Sequence, residues 1–536
     1  MIRKRGENAV IILTAIFFTL FIVLIFRYYS IAWNQKNVSV AQLEHTFTIE
    51  VGKTQGTIYD CNLKPLINSE NELRAVAVPS LLECDKTGEC AIDKDNFYKE
   101  FEKGKPFVFK CSDKAIESEG LTVFEVPVRY SEAQKAQHII GYLSQGSGVD
   151  GIEYAYNSIL RSNFPTNSVA YTTDGFGRIL SGVRKEVFRT NTYKSGVVLT
   201  IDEEIQDICE KCGNGIDTGA IVCTNIINGD ILAIASFPVY DPEKIEAAIK
   251  DERSPLINRA LYSYSVGSIF KLVTASAALE QGMENHLYNC IGNIGIEGRY
   301  FNCHKLDGHG FQNMAEAMTN SCNTYFIDLA RSLDISEYRR LATYLGFGKE
   351  SHLCSGIIAS GGVLPTEKDL SVPAELANFS FGQGKLTATP LQITQLTCAI
   401  ANKGKMPILR LIKGLTPDGE KPVVEKSPQI SVVMSEKTAE KISDMMVLAV
   451  NENEHSNAKS SKISLGAKTS TAQTGKYNDR QEELCHAWIT GFFPAKAPKY
   501  AVTVLIENGG YGNDAAAPVF REIAEKITEL DKNRKK

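Results

Sequence analysis

The chain has 536 residues, 43% of them hydrophobic, which is enough to bury the cores of two domains. Its net charge of -5 and isoelectric point near 6.0 give no indication of a nucleic-acid partner. The composition therefore excludes a strongly basic binding protein and favours a chain with real cores.

The N-terminal segment, residues 9–26, contains no charged residue, and about 18 helical residues at 1.5 Å each just span a hydrocarbon core. Basic residues precede it and aromatic residues follow it, at Arg3, Lys4 and Arg5 and at Tyr28, Tyr29 and Trp33. This asymmetry predicts a single-pass anchor with a cytoplasmic N-terminus and an extracytoplasmic remainder. A cleaved signal peptide is the competing interpretation, but bulky residues 27–29 and the lack of a small-x-small cleavage site count against it.

Residues 35–193 contain no recognisable catalytic constellation. Their apolar runs are short and are broken by charged and glycine-containing turns. We therefore predict three parts: a tail and anchor at residues 1–34, a non-catalytic, extended, mixed α/β domain at residues 35–193, and a catalytic domain at residues 194–536.

The catalytic region alternates strand and helix signals in chain order. A helix is predicted near residues 203–211, and two β-like runs, residues 219–223 and 230–236, are separated by the turn residues Asn228 and Gly229. Helical segments and loops then continue to a strong strand at residues 500–507. This order predicts an α+β domain with an antiparallel sheet, packed helices and an inserted helical subdomain.

Three short motifs in this region carry residues that acyl transfer needs. They are Ser268-Ile269-Phe270-Lys271, Ser321-Cys322-Asn323 and Lys468-Thr469-Ser470. A Ser and a Lys three positions apart on a helix share one face, so the amine can activate a hydroxyl that is unreactive alone. An apolar stretch follows the first motif to Leu279, with Gly282 just beyond, which predicts a helix ending at a glycine cap.

These three motifs in this order are the signature of penicillin-binding proteins and related serine β-lactamases. Together with their flanks, the whole pattern closely resembles the transpeptidase domain of class B penicillin-binding proteins, from near residue 199 to near residue 527. The flanking matches are Gly382-Gln383-Gly384, Thr389-Pro390-Leu391-Gln392 and His486-Ala487-Trp488. Residues 55–62 are similar to a degraded start of the class B pedestal domain, and nothing resembles a glycosyltransferase domain.

The resemblance implies a role for each matching residue. Ser268 attacks the penultimate D-alanine carbonyl of a peptidoglycan stem peptide, and Lys271 takes the proton of Ser268. Ser321 relays a proton to the leaving D-alanine, while Asn323 holds the peptide amide and steers Lys271. Lys468 places positive charge near the substrate carboxylate.

The third motif is implied to bind substrate through Thr469, Ser470 and Thr471. The backbone N–H groups of Ser268 and Thr471 are implied to form the oxyanion hole. The family normally has glycine where this chain has Ser470, so full activity is the first expectation and altered substrate or β-lactam affinity the second. No metal or organic cofactor is needed.

The resemblance also implies partners, namely peptidoglycan stem peptides, β-lactams and a polytopic membrane glycan polymerase. The thirteen cysteines cannot all pair, because their number is odd. Cys290 and Cys303 bracket a short segment rich in glycine and β-formers and are the best candidates for a disulfide, as in many transpeptidase domains of this family. His309 and His486 are interpreted as structural, because Ser/Lys chemistry leaves them no task.

Alternatives remain open. Ser321 and Asn323 could merely cap a helix at residues 324–333, although the three motifs together disfavour this interpretation. A D,D-carboxypeptidase or β-lactamase would pass the same acyl-enzyme to water, and a catalytically weak scaffold would only recruit cell-wall machinery. The sequence leaves open whether the protein serves elongation, division or sporulation.

Overall fold

The computed structural model describes residues 2–33, 46–53, 55–114, 117–161, 166–174, 176, 178–182, 185–189, 194–424 and 427–535. It forms two compact units. Unit 1 comprises residues 1–54, 70–128 and 163–193, and unit 2 comprises residues 55–69, 129–162 and 194–536. The division differs from the predicted linear boundary between residues 193 and 194, because two earlier segments pack with the catalytic region.

The N-terminal helix α1 runs from Ile2 to Trp33 and contains one stretch, Val10–Ser30, that is long and apolar enough to cross a membrane. Its 21 residues correspond to about 31 Å of helix, close to the hydrocarbon thickness of a bilayer. Within it, the Thr14 and Thr19 hydroxyls donate to backbone carbonyls one turn earlier, which satisfies both polar groups inside the helix. The side chains of residues 3–5 and 33, used above to predict orientation, lie outside the described part of the chain.

Unit 1 is built from two three-stranded antiparallel sheets. One contains Thr46–Lys53, Thr166–Thr172 and Glu186–Phe188, and the other places Glu70–Ala77 between Phe107–Lys110 and Leu121–Val128. Valines and aromatic residues from both sheets, such as Val76, Phe124 and Val169, form a shared core. The helices are Pro79–Leu81 (a 3-10 turn), Cys84–Gly88 and Lys94–Glu102. The mixed α/β character predicted for this region is confirmed.

A five-stranded antiparallel sheet forms the centre of unit 2. Its strands are β1 (Gly219–Asn225), β2 (Ile231–Phe237), β3 (Gly466–Tyr477), β4 (Glu483–Phe493) and β5 (Tyr500–Ile506). The spatial order β2-β1-β5-β4-β3 leaves β3 at one edge. Strands β1 and β5 read as nearly continuous apolar runs because helices cover both faces of the sheet.

The first face is covered by α2 (Glu203–Cys212) and the long C-terminal helix Gly512–Arg534, whose apolar residues pack on Ile489 and Val504. On the opposite face lies a helical layer that packs on Trp488 and Leu505. Its helices are Lys271–Glu280, Met314–Thr319, Asn323–Arg331, Ile335–Tyr344, Glu367–Leu370, Pro373–Ser380, Pro390–Ala401 and Glu436–Asn451. This arrangement confirms the predicted α+β fold with its helical subdomain.

Shorter elements complete unit 2. The helices are Gln137–Ile140, Gly151–Ala155, Asn157–Leu160 and Ile245–Lys250. A four-stranded sheet joins Thr57–Tyr59, Gly196–Leu199, Ile412–Thr416 and Val423–Val424. Two-stranded pairs are Leu143–Ser144 with Ser147–Gly148, Tyr264–Ser265 with Thr387–Ala388, Tyr288–Cys290 with Gly310–Gln312, Asn293–Ile296 with Arg299–Asn302, Ser351–Cys354 with Ile357–Ala359, and Lys405–Pro407 with Ile430–Val432.

A buried ion pair fixes the two early segments of unit 2. The Arg129 guanidinium donates to both carboxylate oxygens of Glu153, at 2.8 and 2.6 Å, and to the carbonyl of Gly56 at 2.6 Å. The Glu153 side chain has 0% exposure, so its charge is compensated almost wholly by this arginine and by the Tyr130 hydroxyl at 3.1 Å. These contacts hold residues 55–69 and 129–162 together, and the parallel pairing of Thr57–Tyr59 with Gly196–Leu199 joins them to the catalytic region.

Candidate active site

Ser268 lies on a 3-10 turn, Gly267–Phe270, that leads directly into helix α3 (Lys271–Glu280). Gly267 adopts a φ of +62°, which favours glycine, and a Cβ there would lie 2.4 Å from Ser470 Oγ. The helix ends before Gly282, whose φ is +78°. The predicted helix and its glycine cap are therefore confirmed, and the turn presents Ser268 at the N-terminus of that helix.

Gly382 packs against the same turn and forms a hydrogen bond with it. Its carbonyl accepts the Gly267 N–H at 2.8 Å, and a Cβ on Gly382 would lie 2.1 Å from the Gly267 oxygen. With a φ of +79°, the position is closed to other residues both by conformation and by space. This contact is the structural reason for the Gly382-Gln383-Gly384 motif.

Lys271 is wholly buried and joins the first motif to the second. Its Nζ donates to the backbone oxygen of Ser321 at 2.6 Å and to Oδ1 of Asn323 at 2.7 Å, and it lies 3.2 Å from Ser321 Oγ. The structure therefore brings together the amine and the two polar residues that the sequence motifs placed 50 and 52 positions apart.

The third motif joins the same network through Ser321. Lys468 Nζ lies 3.0 Å from Ser321 Oγ and donates to the Thr469 carbonyl at 3.0 Å. Ser321 adopts a left-handed φ of +49°, a strained conformation for a non-glycine residue that is often found at active sites. One hydroxyl thus stands between two lysine amines, an arrangement suited to moving a proton.

The pKa values of Lys271 and Lys468 are both lower than the usual value of a lysine. Burial, and then the neighbouring Lys468 cation, hold the pKa of Lys271 well below its usual value of 10.5, while Cys322 and Cys303 oppose this shift. Burial also lowers the pKa of Lys468, to about 8. The site therefore combines an amine whose charged form is strongly disfavoured with a second amine that is mostly a cation at neutral pH.

Lys468, Thr469, Ser470 and Thr471 lie on the edge strand β3, which packs against the Ser268 turn. Ser470 Oγ donates to the Val266 carbonyl at 2.8 Å and is buried. Thr471 Oγ1 accepts the Gly512 N–H at 3.2 Å. The hydroxyl of Ser470 therefore ties the strand to the segment before Ser268.

A cavity of about 370 Å³ opens beside these residues. Its lining includes His304, His309, Asn320, Ser321, Lys468 and Thr469. It is predominantly polar, which suits a charged peptide end better than an apolar ligand.

Arg259 and Glu507 are supporting residues that the sequence analysis missed. Arg259 Nε pairs with Glu507 at 3.0 Å, and the same carboxylate accepts the Tyr264 hydroxyl at 2.6 Å. Tyr264 also contacts His486 edge-on, and the Trp488 indole donates to the Ser265 carbonyl at 3.1 Å. His486 therefore takes part in scaffolding, as predicted, behind the strand that precedes Ser268.

Cys290 and Cys303 do not form the disulfide expected from the sequence. Each is a free, buried thiol, and both lie in a cluster with Cys322 and His309, all ligand atoms being within 4.8 Å of one another. The sequence analysis missed this grouping because it treated Cys322 only as the middle of a motif and His309 as structural. Cys322 and His309 do not belong to a close Cys-x-x-Cys pair, which is the sequence pattern that indicates such a cluster.

The family model "Penicillin binding protein transpeptidase domain" matches residues 219–525. Because the match covers more than half of the chain, the chain belongs to the penicillin-binding protein transpeptidase family. The resemblance to its class B members, stated from the sequence, is confirmed.

Similar proteins include Stage V sporulation protein D of Bacillus subtilis, 28% identical over 432 residues, which are 76% of this chain and 65% of the relative. Peptidoglycan D,D-transpeptidase MrdA of Acinetobacter baumannii is 29% identical over 411 residues, 70% of this chain and 60% of the relative. This chain spans less than two thirds of the length of either. A ceftriaxone acyl-enzyme complex of penicillin-binding protein A from M. tuberculosis is similar in fold, with a TM-score of 0.62, 24% identity, and coverage of 75% of this chain and 92% of that one.

Proposed function

We propose that this chain is a serine D,D-transpeptidase that cross-links peptidoglycan stem peptides through an acyl-enzyme on Ser268, and that β-lactams inhibit it. The observation that carries the proposal is the hydrogen-bonded connection Lys271–Ser321–Lys468 behind the Ser268 turn. The names of similar proteins, and the acyl-enzyme described for one of them, support the same reaction class.

In the acylation step, Ser268 Oγ attacks the carbonyl of the penultimate D-alanine and its proton passes to Lys271. A neutral Lys271 amine has two N–H groups, and the Ser321 oxygen and Asn323 Oδ1 are placed to accept both. Its lone pair then remains for the Ser268 proton, which meets the requirement for activating a weak nucleophile. The backbone N–H groups of Ser268 and Thr471 stabilise the oxyanion.

Collapse of the tetrahedral intermediate breaks the peptide bond. The leaving D-alanine nitrogen takes a proton from Lys271 by way of Ser321, whose hydroxyl lies 3.2 Å from Lys271 Nζ. The amine of a second stem peptide then attacks the Ser268 ester, forms the cross-link and releases Ser268. The proton that the acceptor amine gives up passes by way of Lys271 to Ser268 Oγ, so each protein group regains its starting protonation state. These steps use no metal or organic cofactor.

Substrate selection falls to the third motif. Lys468 attracts the C-terminal carboxylate of the stem peptide, or the carboxylate of a β-lactam, and Thr469 and Thr471 hydrogen-bond the bound ligand. Ser470 contributes indirectly, because its hydroxyl is occupied by Val266.

The test of reaction class is the fate of a D-alanyl-D-alanine stem peptide supplied with an amine acceptor. Mass spectrometry should find cross-linked product with the unaltered chain and none with Ser268→Ala. Ser276→Ala is a matched control, because Ser276 is a buried serine on α3 whose hydroxyl donates to the Leu272 carbonyl of its own helix at 2.7 Å. Release of D-alanine with no cross-link at any acceptor concentration would instead establish a carboxypeptidase.

We also propose that Val10–Ser30 anchors the protein with its N-terminus in the cytoplasm and the residues after position 34 outside. Because the basic residues Arg3, Lys4 and Arg5 precede this stretch, the charge rule for membrane segments favours that orientation. Protease treatment of intact cells should remove the residues after position 34 and spare the N-terminal tail, whereas a mature N-terminus near residue 30 would show cleavage.

A polytopic glycan polymerase is the proposed partner of residues 1 to about 190. Binding would hold nascent strands near Ser268 and raise their effective concentration. The rival hypothesis is that this region is only a spacer. Co-purification with the host's polymerases should succeed for the full chain and fail when residues 1 to about 190 are replaced by a foreign anchor and spacer. Equal retention by both, or by neither, would support the spacer.

A further inference from the structure

We propose that the cavity beside Ser321 and Lys468 is the binding site of the acceptor, and that it selects an amine whose own carbon atom carries a carboxylate. This inference rests on the proposed function and deepens it, because transpeptidation needs a second amine of a particular chemistry. The residues that we assign to this selection, Lys305 and Asn453, line the cavity and lie outside the three sequence motifs.

The direction of the reaction places the acceptor in this cavity. The acceptor nitrogen attacks the carbonyl carbon that the D-alanine nitrogen left, so by microscopic reversibility it arrives on the leaving-group side. In the proposed mechanism Ser321 delivers the proton to the leaving nitrogen, so its hydroxyl marks that side. Ser321 lines the cavity together with Lys468 and Thr469, and its Oγ lies 3.0 Å from Lys468 Nζ. The incoming nitrogen therefore approaches through this cavity.

The size and charge of the cavity suit an amine with a small anionic group. Its volume of about 370 Å³ is at the lower end of the range for small-molecule sites, about 300 to 1,000 Å³. Two lysines, Lys305 and Lys468, line it, and none of the described lining residues is an aspartate or a glutamate. This lining creates a positive potential in the cavity. The potential attracts a carboxylate, and it also favours the neutral, nucleophilic form of an incoming amine.

The wall that contains Asn453 is held by its own hydrogen bonds. This wall follows the helix Glu436–Asn451. The Asn453 side chain accepts the His455 N–H at 3.0 Å, and Asn513 Nδ2 donates to the His455 carbonyl at 3.0 Å. Asn513 Oδ1 accepts the Asn457 N–H, also at 3.0 Å. The polar lining on this side of the cavity is therefore preformed.

The same wall is connected to the strand that carries the third motif. Asn513 follows Gly512, whose N–H donates to Thr471 Oγ1 at 3.2 Å. A Cβ on Gly512 would lie 2.2 Å from the Ser470 oxygen and 2.5 Å from the Trp488 oxygen, so the backbone packs directly on β3 and β4. Because Thr471 supplies a proposed oxyanion-hole N–H, an acceptor held by this wall is positioned relative to the acyl carbonyl.

The competing interpretation is that the cavity accepts any stem-peptide amine. An amine at the end of a simple alkyl chain has no carboxylate for Lys305 and Lys468 to attract. A side chain of a diamino dicarboxylic acid ends instead in one carbon that bears both an amine and a carboxylate, as the departing D-alanine does. In the step, its nitrogen bonds to the acyl carbon, the bond from that carbon to Ser268 Oγ breaks, and the amine proton reaches Oγ by way of Lys271.

The test uses the full-length chain in detergent with an N-acylated D-alanyl-D-lactate donor, which releases an alcohol rather than a second amine. Two stem tripeptides serve as acceptors: one ends in a diamino dicarboxylic acid, and in the other the carboxylate next to the acceptor amine is a carboxamide. Mass spectrometry measures the initial rate of cross-linking at equal concentrations of the neutral amine. The carboxylate acceptor should have a half-saturating concentration about fivefold lower, the effect of one partly exposed ion pair.

Two variants test the assigned residues. Lys305→Gln should remove most of this preference. Asn453→Asp adds a negative charge to the lining, while its carboxylate can still accept the His455 N–H, so it should reverse the preference. Lys349→Gln is the matched control, because Lys349 is an exposed lysine outside the cavity lining, and it should keep the preference. A changed preference, rather than an equal loss with both acceptors, separates charge recognition from a structural effect.

Equal or better use of the carboxamide acceptor by the unaltered chain would overturn the inference. An unchanged preference in both variants, or an equal loss with both acceptors, would do the same. Cross-linking without any preference therefore removes only the acceptor assignment and leaves the proposed function in place. If the donor is not consumed, or is only hydrolysed with no product from either acceptor, the proposed transpeptidase function fails and this inference fails with it.

Discussion

Replacing Ser470 tests whether its hydroxyl positions the turn that carries Ser268 or crowds the substrate. Ser470 Oγ donates to the Val266 carbonyl at 2.8 Å, the side chain is 3% exposed, and Val266 lies two residues before Ser268. Removing a buried hydrogen bond and leaving its acceptor without that donor costs about 1 to 3 kcal/mol. We expect Ser470→Ala to lower the free energy of unfolding by this amount.

The same change should slow acylation, because it loosens the turn relative to the Thr471 backbone N–H. If about 1.4 kcal/mol of this loss also raises the activation free energy of acylation, the acylation rate constant falls about tenfold. Stopped-flow labelling with a fluorescent penicillin measures this rate, and urea titration measures stability. Ser276→Ala should leave the acylation rate unchanged. Faster acylation in Ser470→Ala or Ser470→Gly would refute the positioning role and establish crowding.

Three further predictions follow from the site and its support. Because burial lowers the pKa of Lys468 to about 8, this residue loses its charge as the pH rises through 8. The acylation rate should therefore fall on the alkaline side of pH 8. Lys468→Arg stays charged, so a pH profile of that variant should show no alkaline fall in the acylation rate. Gly382→Ala should unfold the region or abolish penicillin labelling, because its Cβ would lie 2.1 Å from the Gly267 oxygen, and normal melting with normal labelling would contradict the packing. Arg129→Ala should cost about 3 to 5 kcal/mol in urea unfolding, because it leaves the wholly buried Glu153 carboxylate without its partner; recovery of stability in the double variant with Glu153→Gln checks that cause.

Local patterns predicted much of unit 2. The strand expected at residues 500–507 is observed as Tyr500–Ile506, because an uninterrupted apolar run is what a doubly covered strand requires. The helix after Ser268 and its end near Gly282 followed from spacing and a glycine cap. The three motifs likewise identified the lysines and polar residues that the fold brings together.

Long-range packing could not be predicted in this way. Residues 129–162 join the catalytic region through contacts such as Lys135 with Glu203 and His138 with the Pro255 carbonyl, which no periodicity indicates. The meeting of Cys322 with Cys290, Cys303 and His309 depends on a hairpin, a strand pair and a helix N-terminus arriving at one point. The direction of the Ser470 hydroxyl depends on which face of β3 packs against the turn.

Intact-mass measurement of the full-length chain with benzylpenicillin tests the central claim most directly. The account predicts a stable adduct of one penicillin per chain, mapped to Ser268, absent in Ser268→Ala and nearly absent in Lys271→Ala, where the base is lost. A lifetime of minutes or less would identify a hydrolase with the same acyl-enzyme. Unchanged labelling of Ser268→Ala, or an adduct on another residue, would contradict the mechanism.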